Sequence, residues 1–359
     1  MKLDRRTFLG SALSALAVGG CQSLGGASAV PTYGFKWIDL VHLGMKMWGD
    51  LPRKVERQGI QTKILTDEEF TAIMTPENLD VNRMHFDYDF WVALSKKLRS
   101  SGCNAIMLDV GEGLVYPSHP ELAVKGSWSP DRLKAEVDRL RGMGFEVIPK
   151  MNFSACHDTW LKDYHRMVST KKYYQVCEDL IKDAAEIFDH PRFFHLGYDE
   201  ETAAHQKKHL FAVCRQGELW WHDFLWFAKV TEKTGCRPWI WSDYIWNHKD
   251  EFLNRMPKSV LQSNWYYGAK FNPAEMGDRS KYVEAYEWLD KAGFEQVPTG
   301  SNFSCDTNFA GTVKFCDEKC HKELLKGYMM APWTRTFAIH EAKSHEAIAQ
   351  MAEVIKARG

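Results

Sequence analysis

Long apolar runs, a surplus of one charge and metal-ligand spacings are what this 359-residue chain lacks. An apolar stretch at 12–18 is too short to cross a bilayer. Lys+Arg (46) and Asp+Glu (47) nearly cancel, to a net charge of -1. No basic field is therefore available for nucleic acid or anionic lipid, and a neutral ligand is expected. None of the nine cysteines stands at zinc-ribbon spacing, and neither H-x-H nor H-E-x-x-H occurs, so no metal or cofactor is expected. Past residue 30 there is no Gly/Ser-rich linker, low-complexity tract or repeat beyond an alternation of strands and helices, which speaks for one domain over 31–359.

What is present begins with a targeting pattern. Arg5 and Arg6 precede Phe8 and Leu9, then the short apolar run, then small residues as far as Cys21. That order resembles a twin-arginine-type signal over 1–30. Val18-Gly19-Gly20-Cys21 fits a lipoprotein box, and Ala27-Ser28-Ala29 fits ordinary cleavage before Val30; the box, with a lipidated Cys21, is the expectation. The protein is thus expected to be exported, periplasmic or membrane-anchored, with lipid on Cys21 as its sole membrane link.

Aromatic residues make up 13% of the chain and include 14 Trp, enough both to fill a core and to line a groove with ring faces on which sugar C–H surfaces stack. Cys316 and Cys320 stand four apart on a probable helix, near Cys305. In an oxidising compartment they would pair, and as buried thiols they would stay free; the sequence leaves both open.

Eight short apolar segments read as strands, at 35–41, 105–110, 146–151, 193–197, 238–241, 260–265, 296–300 and 328–333. Continuous apolar runs suit parallel strands buried on both faces. Helical stretches alternate with them, at 87–99, from the Ser129-Pro130-Asp131 start to Gly142, and at 171–187, 218–234 and 340–357. Eight such alternations predict a single (β/α)8 TIM barrel, an α/β fold, with a doubly wound sheet as the alternative. The stretch 45–82 after the first strand would then lie on the catalytic face as a lid or wall.

In a barrel, residues just past the strands face one shared mouth. The fourth strand runs straight into Asp199, Glu200 and Glu201. Two neighbouring carboxylates resist ionising together, so one is expected to keep its proton while the other stays charged, the division a glycosidase uses. The bland alternative is that the acids cap the next helix, the role expected of Glu201. Asp109, Glu112, Asn152, Asp243 and Tyr244 also fall at strand ends, and Asp109 and Asp243 are the preferred substrate contacts among them.

His195-Leu196-Gly197-Tyr198-Asp199-Glu200 resembles the H-x-G-G-D-E motif of the family 20 glycoside hydrolases, the β-N-acetylhexosaminidases. Ile148-Pro149-Lys150-Met151 through His157 resembles that family's third-strand I-P-E…H segment, and Trp241, Trp265 and Trp333 are similar to the tryptophans that wall its sugar pocket. The resemblance implies substrate-assisted, retaining hydrolysis of N-acetylhexosamine-containing glycans. Asp199 would orient the 2-acetamido group and Glu200 would act as general acid and base. His42, His157, His195 and Tyr198 would join the tryptophans and Asp109 and Asp243 around the sugar.

The departures are specific. His42 stands where the family has an arginine that grips sugar hydroxyls, Lys150 where it has a glutamate, and Ser301-Asn302-Phe303 where it has a tyrosine. Thr334-Arg335 follows Trp333 in place of a hydroxyl-binding glutamate, and Tyr198 replaces a glycine, narrowing the room beside the pair. A glycosidase of changed sugar specificity, a glycan-binding surface lipoprotein that does not cut, and a metal-dependent hydrolase on the same barrel are the alternatives.

Overall fold

A computed structural model describes residues 34–47, 80, 82–207 and 209–358. The targeting pattern at 1–30, Cys21 included, and most of the 45–82 stretch lie outside the described residues.

Among the described residues, eight parallel strands alternate with eight helices: β1 (Lys36–His42), α1 (Tyr88–Ser100), β2 (Ala105–Asp109), α2 (Pro130–Gly142), β3 (Glu146–Lys150), α3 (Lys171–Ile187), β4 (Phe193–His195) and α4 (Glu218–Lys233) make the first half. β5 (Arg237–Trp241), α5 (Lys249–Arg255), β6 (Leu261–Ser263), α6 (Ser280–Lys291), β7 (Thr299–Gly300), α7 (Asn308–Lys319), β8 (Gly327–Met330) and α8 (Glu341–Arg358) complete it. The ladder runs β6-β5-β4-β3-β2-β1-β8-β7. Single bridges between Gln262 and Gln296 and between Trp265 and Thr299 join its two ends. The sheet therefore closes into a (β/α)8 TIM barrel, and the doubly wound alternative falls.

Local chemistry sets the elements. Asp87, Ser129 and Thr170 each accept an N–H of the first turn of α1, α2 and α3, and Pro130 occupies the first turn of α2, where no N–H partner is needed. Along α3, Tyr173, Val176, Cys177, Leu180, Ile181 and Ala184 repeat at three- and four-residue steps and bury one face. Strand side chains alternate between two cores. Ile38, Leu40, Met107, Ile148, Trp239 and Met329 fill the barrel, while Val41, Ile106, Leu108, Val147 and Phe194 pack outward against the helices.

The strands end earlier than expected where the chain turns toward the mouth. β4 stops at His195 and β8 at Met330, because Gly197 (φ 69°), Tyr198 (φ 76°), Glu200 (φ 55°) and Trp333 (φ 54°) take left-handed conformations that leave the ladder. α5 and α6 were not among the helices read from the sequence. All eight described cysteines are free thiols, with Cys316 and Cys320 buried, so the disulfide alternative is not realised. No helix among the described residues is long and apolar enough to cross a membrane.

Candidate active site

Parity and register build the floor of the mouth. Inward-facing positions 38, 40 and 105, 107 continue to His42 and Asp109, and Ile148 to Lys150. Register then pairs His42 with Asp109, Asp109 with Lys150 and Lys150 with His195, one row across β1 to β4. The Lys150 ammonium pairs with Asp109 Oδ2, and His42 Nε2 lies 3.8 Å from the same oxygen. His42, Asp109, Lys150 and His195 are 3% exposed or less. Burial and the charge of Lys150, against a backbone hydrogen bond at Thr334, push His42 down to about 3, so it is neutral. His195 is also held neutral, first by burial and then by Lys150, and its Nδ1 accepts the N–H of Gly197 at 3.0 Å.

One turn of chain beyond this row stands the carboxylate pair. Asn152, past β3, donates from Nδ2 to Asp199 Oδ1 at 2.8 Å, and its Oδ1 accepts the N–H groups of Ser154 and Tyr198. A Cβ on Gly197 would come within 2.2 Å of that same Oδ1, so the glycine of the motif is required by the approach of Asn152 as well as by its positive φ. His157 Nε2 sits between the acids, 3.4 Å from Asp199 Oδ2 and 3.3 Å from Glu200 Oε2. Glu200 is clamped at both ends of its peptide unit: its N–H donates to Asp243 Oδ2 at 2.8 Å, and the Cys156 thiol donates to its carbonyl at 2.7 Å. Its side chain is 27% exposed against 8% for Asp199.

The electrostatics differ from those expected of two adjacent acids alone. Burial raises Asp199, but the imidazolium of His157, Lys150 and the Asn152 amide outweigh it and hold the carboxyl well below the usual range. Burial disfavours charge on His157, yet Asp199 and Glu200 push it up to about 10, so it carries a proton at neutral pH. Beside the pair, Asp243 holds its proton more tightly than an ordinary carboxyl, lifted to about 8 by burial and by the charge of Asp199. The pair thus shares a cation, and a neutral acid stands beside it. The ligand atoms of His157, Asp199 and Glu200 lie within 4.8 Å of one another, a spacing that would also admit a cation.

A cavity of about 960 Å³ opens from Glu200 and Asp243 along the loops after β4, β5 and β6. Trp265 lines it, with Tyr267 stacked on Trp265 at 5.0 Å, and Trp246, Tyr244 and Tyr282 continue its walls. Asp199 is buried next to Glu200 and is not among the residues lining the cavity. Trp241 is buried beneath, edge-on to His195 at 4.5 Å, and Trp333 packs 6.0 Å from Trp241.

Several expected contacts take other positions. His42, Asp109 and His195 are buried in the row with Lys150 and do not line this cavity. The Tyr198 ring turns outward against Trp220 (5.2 Å), Phe224 (5.5 Å) and the Arg215 guanidinium (4.5 Å), because the positive φ breaks strand alternation there; it backs the cavity wall and leaves the space beside the pair. Glu201 caps no helix: α4 begins at Glu218, and Glu201 instead pairs with buried Arg215 at 2.5 Å and accepts the N–H groups of Ala155 and Arg215. Glu112 faces the backbone of Met45 and Lys46, fixing the start of the stretch after β1. Sequence reading missed His205, 3.5 Å from Glu200 Oε1, together with Trp246, Tyr267 and Tyr282. The runs Trp265-Tyr266-Tyr267 and Tyr244-Ile245-Trp246 carried that signal, since a strand end with several aromatics lines more than one wall.

No protein-family model and no curated protein matches this sequence. Among solved structures, the chain is similar to Dispersin B, at 14% identity and TM-score 0.52, over 78% of this chain and 98% of that one. It is similar to the pneumococcal virulence factor StrH, described with N-glycan recognition and hydrolysis, at 13% identity and TM-score 0.55, over 90% and 84%. It is also similar to a β-N-acetylhexosaminidase from Bacteroides fragilis NCTC 9343, at 14% identity and TM-score 0.53, over 88% of this chain and 65% of that one. At these identities the likeness is one of fold.

Proposed function

We propose that this protein is a glycoside hydrolase that cleaves N-acetylhexosamine-containing glycans by a retaining, substrate-assisted route. The observation that carries the reading is Asp199 and Glu200 sharing the His157 imidazolium, with Glu200 lining an aromatic-walled cavity. The resemblance of the Asp199-Glu200 motif to family 20, and structural relatives that include a β-N-acetylhexosaminidase, support the same chemistry.

In the first step the acetamido oxygen of the bound sugar attacks its anomeric carbon. The bond to the leaving oxygen breaks, and Glu200 gives that oxygen a proton. Asp199, held ionised and aimed by Asn152 and His157, polarises the acetamido N–H. In the second step Glu200 takes a proton from water, which opens the cyclic intermediate with net retention. His157 keeps a proton 3.3 Å from Glu200 Oε2, a store next to the donor. Because His42 stands where family 20 has its hydroxyl-gripping arginine, and is buried beside the Lys150–Asp109 pair, the accepted sugar differs from that of the family. The domain over 31–359 would act after export on the 1–30 segment, soluble in the periplasm or held by lipid on Cys21.

Chromogenic glycosides with and without the 2-acetamido group test the reading. N-acetylhexosaminides are cleaved and plain hexosides are not; equal cleavage of both defeats the substrate-assisted route. The cation spacing of His157, Asp199 and Glu200 favours one competing reading, a metal-dependent hydrolase. It requires stoichiometric metal in the purified protein and loss of activity on chelation.

A further inference from the structure

We infer that Arg215 is a positioning residue for Glu200, aiming its carboxyl by holding the chain on both sides of it. The inference rests on the glycosidase reading and adds a residue to it. The chain that carries the acid is strained. Past the end of β4, Gly197, Tyr198 and Glu200 all have positive φ, at 69°, 76° and 55°. For a tyrosine and a glutamate that conformation persists only where the surroundings over-determine it, and its loss would swing the side chain at position 200 to a new direction.

Hydrogen bonds to the backbone fix part of the turn. Asn152 Oδ1 accepts the Tyr198 N–H at 3.2 Å, Ser154 Oγ donates to the Asp199 carbonyl at 2.5 Å, and Asp243 and Cys156 hold the Glu200 peptide unit. None of these reaches the Tyr198 ring or the Glu201 carboxylate. Arg215 meets both. Its guanidinium lies over the Tyr198 ring, 4.5 Å from the centre. On the other side of Glu200, its Nε and Nη2 donate to Glu201 Oε1 and Oε2 at 2.8 and 2.5 Å, and its backbone N–H donates to Oε1 at 2.7 Å. Nη2 also donates to the Phe153 carbonyl at 2.7 Å, and the Ala155 N–H donates to Glu201 Oε2 at 3.0 Å, so the fork ties the turn to the loop after β3. Asp223 Oδ2, on α4, stands 3.5 Å from Nη1. The Arg215 and Glu201 side chains are 1% and 3% exposed, so water screens the pair little, and two parallel bonds fix direction as well as distance. A lysine at 215 would offer one point charge in place of the planar fork.

The test is kcat/KM of Glu201→Gln and Arg215→Lys for two N-acetylhexosaminides, one with an alkyl and one with a dinitrophenyl leaving group. An alkoxide needs the proton of Glu200 to depart, whereas a dinitrophenolate leaves without it. Each variant is expected to lower kcat/KM for the alkyl glycoside by about 10- to 100-fold and for the dinitrophenyl glycoside by less than about threefold. A change that merely removed folded protein would lower both alike, so equal losses, or no loss on the alkyl glycoside, overturn the proposal. Should Arg215→Lys fail to fold, Glu201→Gln, which keeps the side-chain volume, decides alone. If the wild type cleaves neither glycoside, the glycosidase reading has failed. A crystal structure of Glu201→Gln then decides the positioning: Glu200 Oε2 displaced from its place 3.3 Å from His157 Nε2 keeps it, and an unmoved carboxyl removes it.

Discussion

Across β1 to β3 the barrel mouth holds an aspartate, a lysine and a neutral histidine, each 3% exposed or less and each facing another member of the group. Across β4 to β6 it holds Glu200, Asp243 and a set of ring faces around about 960 Å³ of open space. Both halves descend from strand ends rich in polar residues. What separates them is whether the charges find partners within the protein. Lys150 meets Asp109 and the pair is sealed; Glu200 has only the edge of His157 and His205 and stays part-exposed. Unfilled space beside an incompletely paired acid is where a ligand gains most, which is why the proposed function puts the work in the β4 to β6 half.

The sharpest way to break this contrast is to remove the acid of the open half. Glu200→Gln is expected to lower kcat by about 10²- to 10⁴-fold with little change in melting temperature. A variant that turns over like the wild type would move the chemistry elsewhere. The closed half responds in stability. Lys150→Met leaves Asp109 buried without its cation and is expected to cost about 3–5 kcal/mol in denaturant unfolding, while Lys150→Met combined with Asp109→Leu recovers most of it.

A third prediction concerns pH. Asp243 holds its proton up to about 8 in the folded protein, from an ordinary value of 3.8. The folded state binds that proton more tightly than the unfolded chain, so this group makes stability fall as pH rises from the carboxylate range through about 8. Asp243→Asn is expected to flatten that part of the curve of unfolding free energy against pH; an unchanged slope refutes the assignment. The smallest effect is at Cys156. Cys156→Ala frees the Glu200 carbonyl and is expected to cost about 1 kcal/mol and a few-fold in kcat, read by unfolding and steady-state kinetics.

The barrel was legible because parallel strands buried on both faces write themselves as short apolar runs, and a cap such as Ser129 marks a helix start by residue type. Asp199 and Glu200 were legible because their motif is contiguous. Partners from separate strands were less so. Nothing near Glu200 in the sequence tells that His157 comes between the acids, or that Asp243 holds the Glu200 N–H from 43 residues away. Tyr198 was misplaced because it was read as filling the space of the motif's glycine beside the pair, whereas its positive φ turns the ring outward against Trp220 and Phe224. Glu201 was read as a cap because its partner Arg215 lies 14 residues on, across a loop without periodicity.

The most direct test of the account is a crystal structure of the Glu200→Gln protein with an uncleaved oligosaccharide ending in N-acetylhexosamine. The account predicts the glycosidic oxygen about 3 Å from the side chain at position 200 and the acetamido group at Asp199. A sugar bound over His42, Asp109 and Lys150, with position 200 out of reach of the glycosidic oxygen, would contradict it.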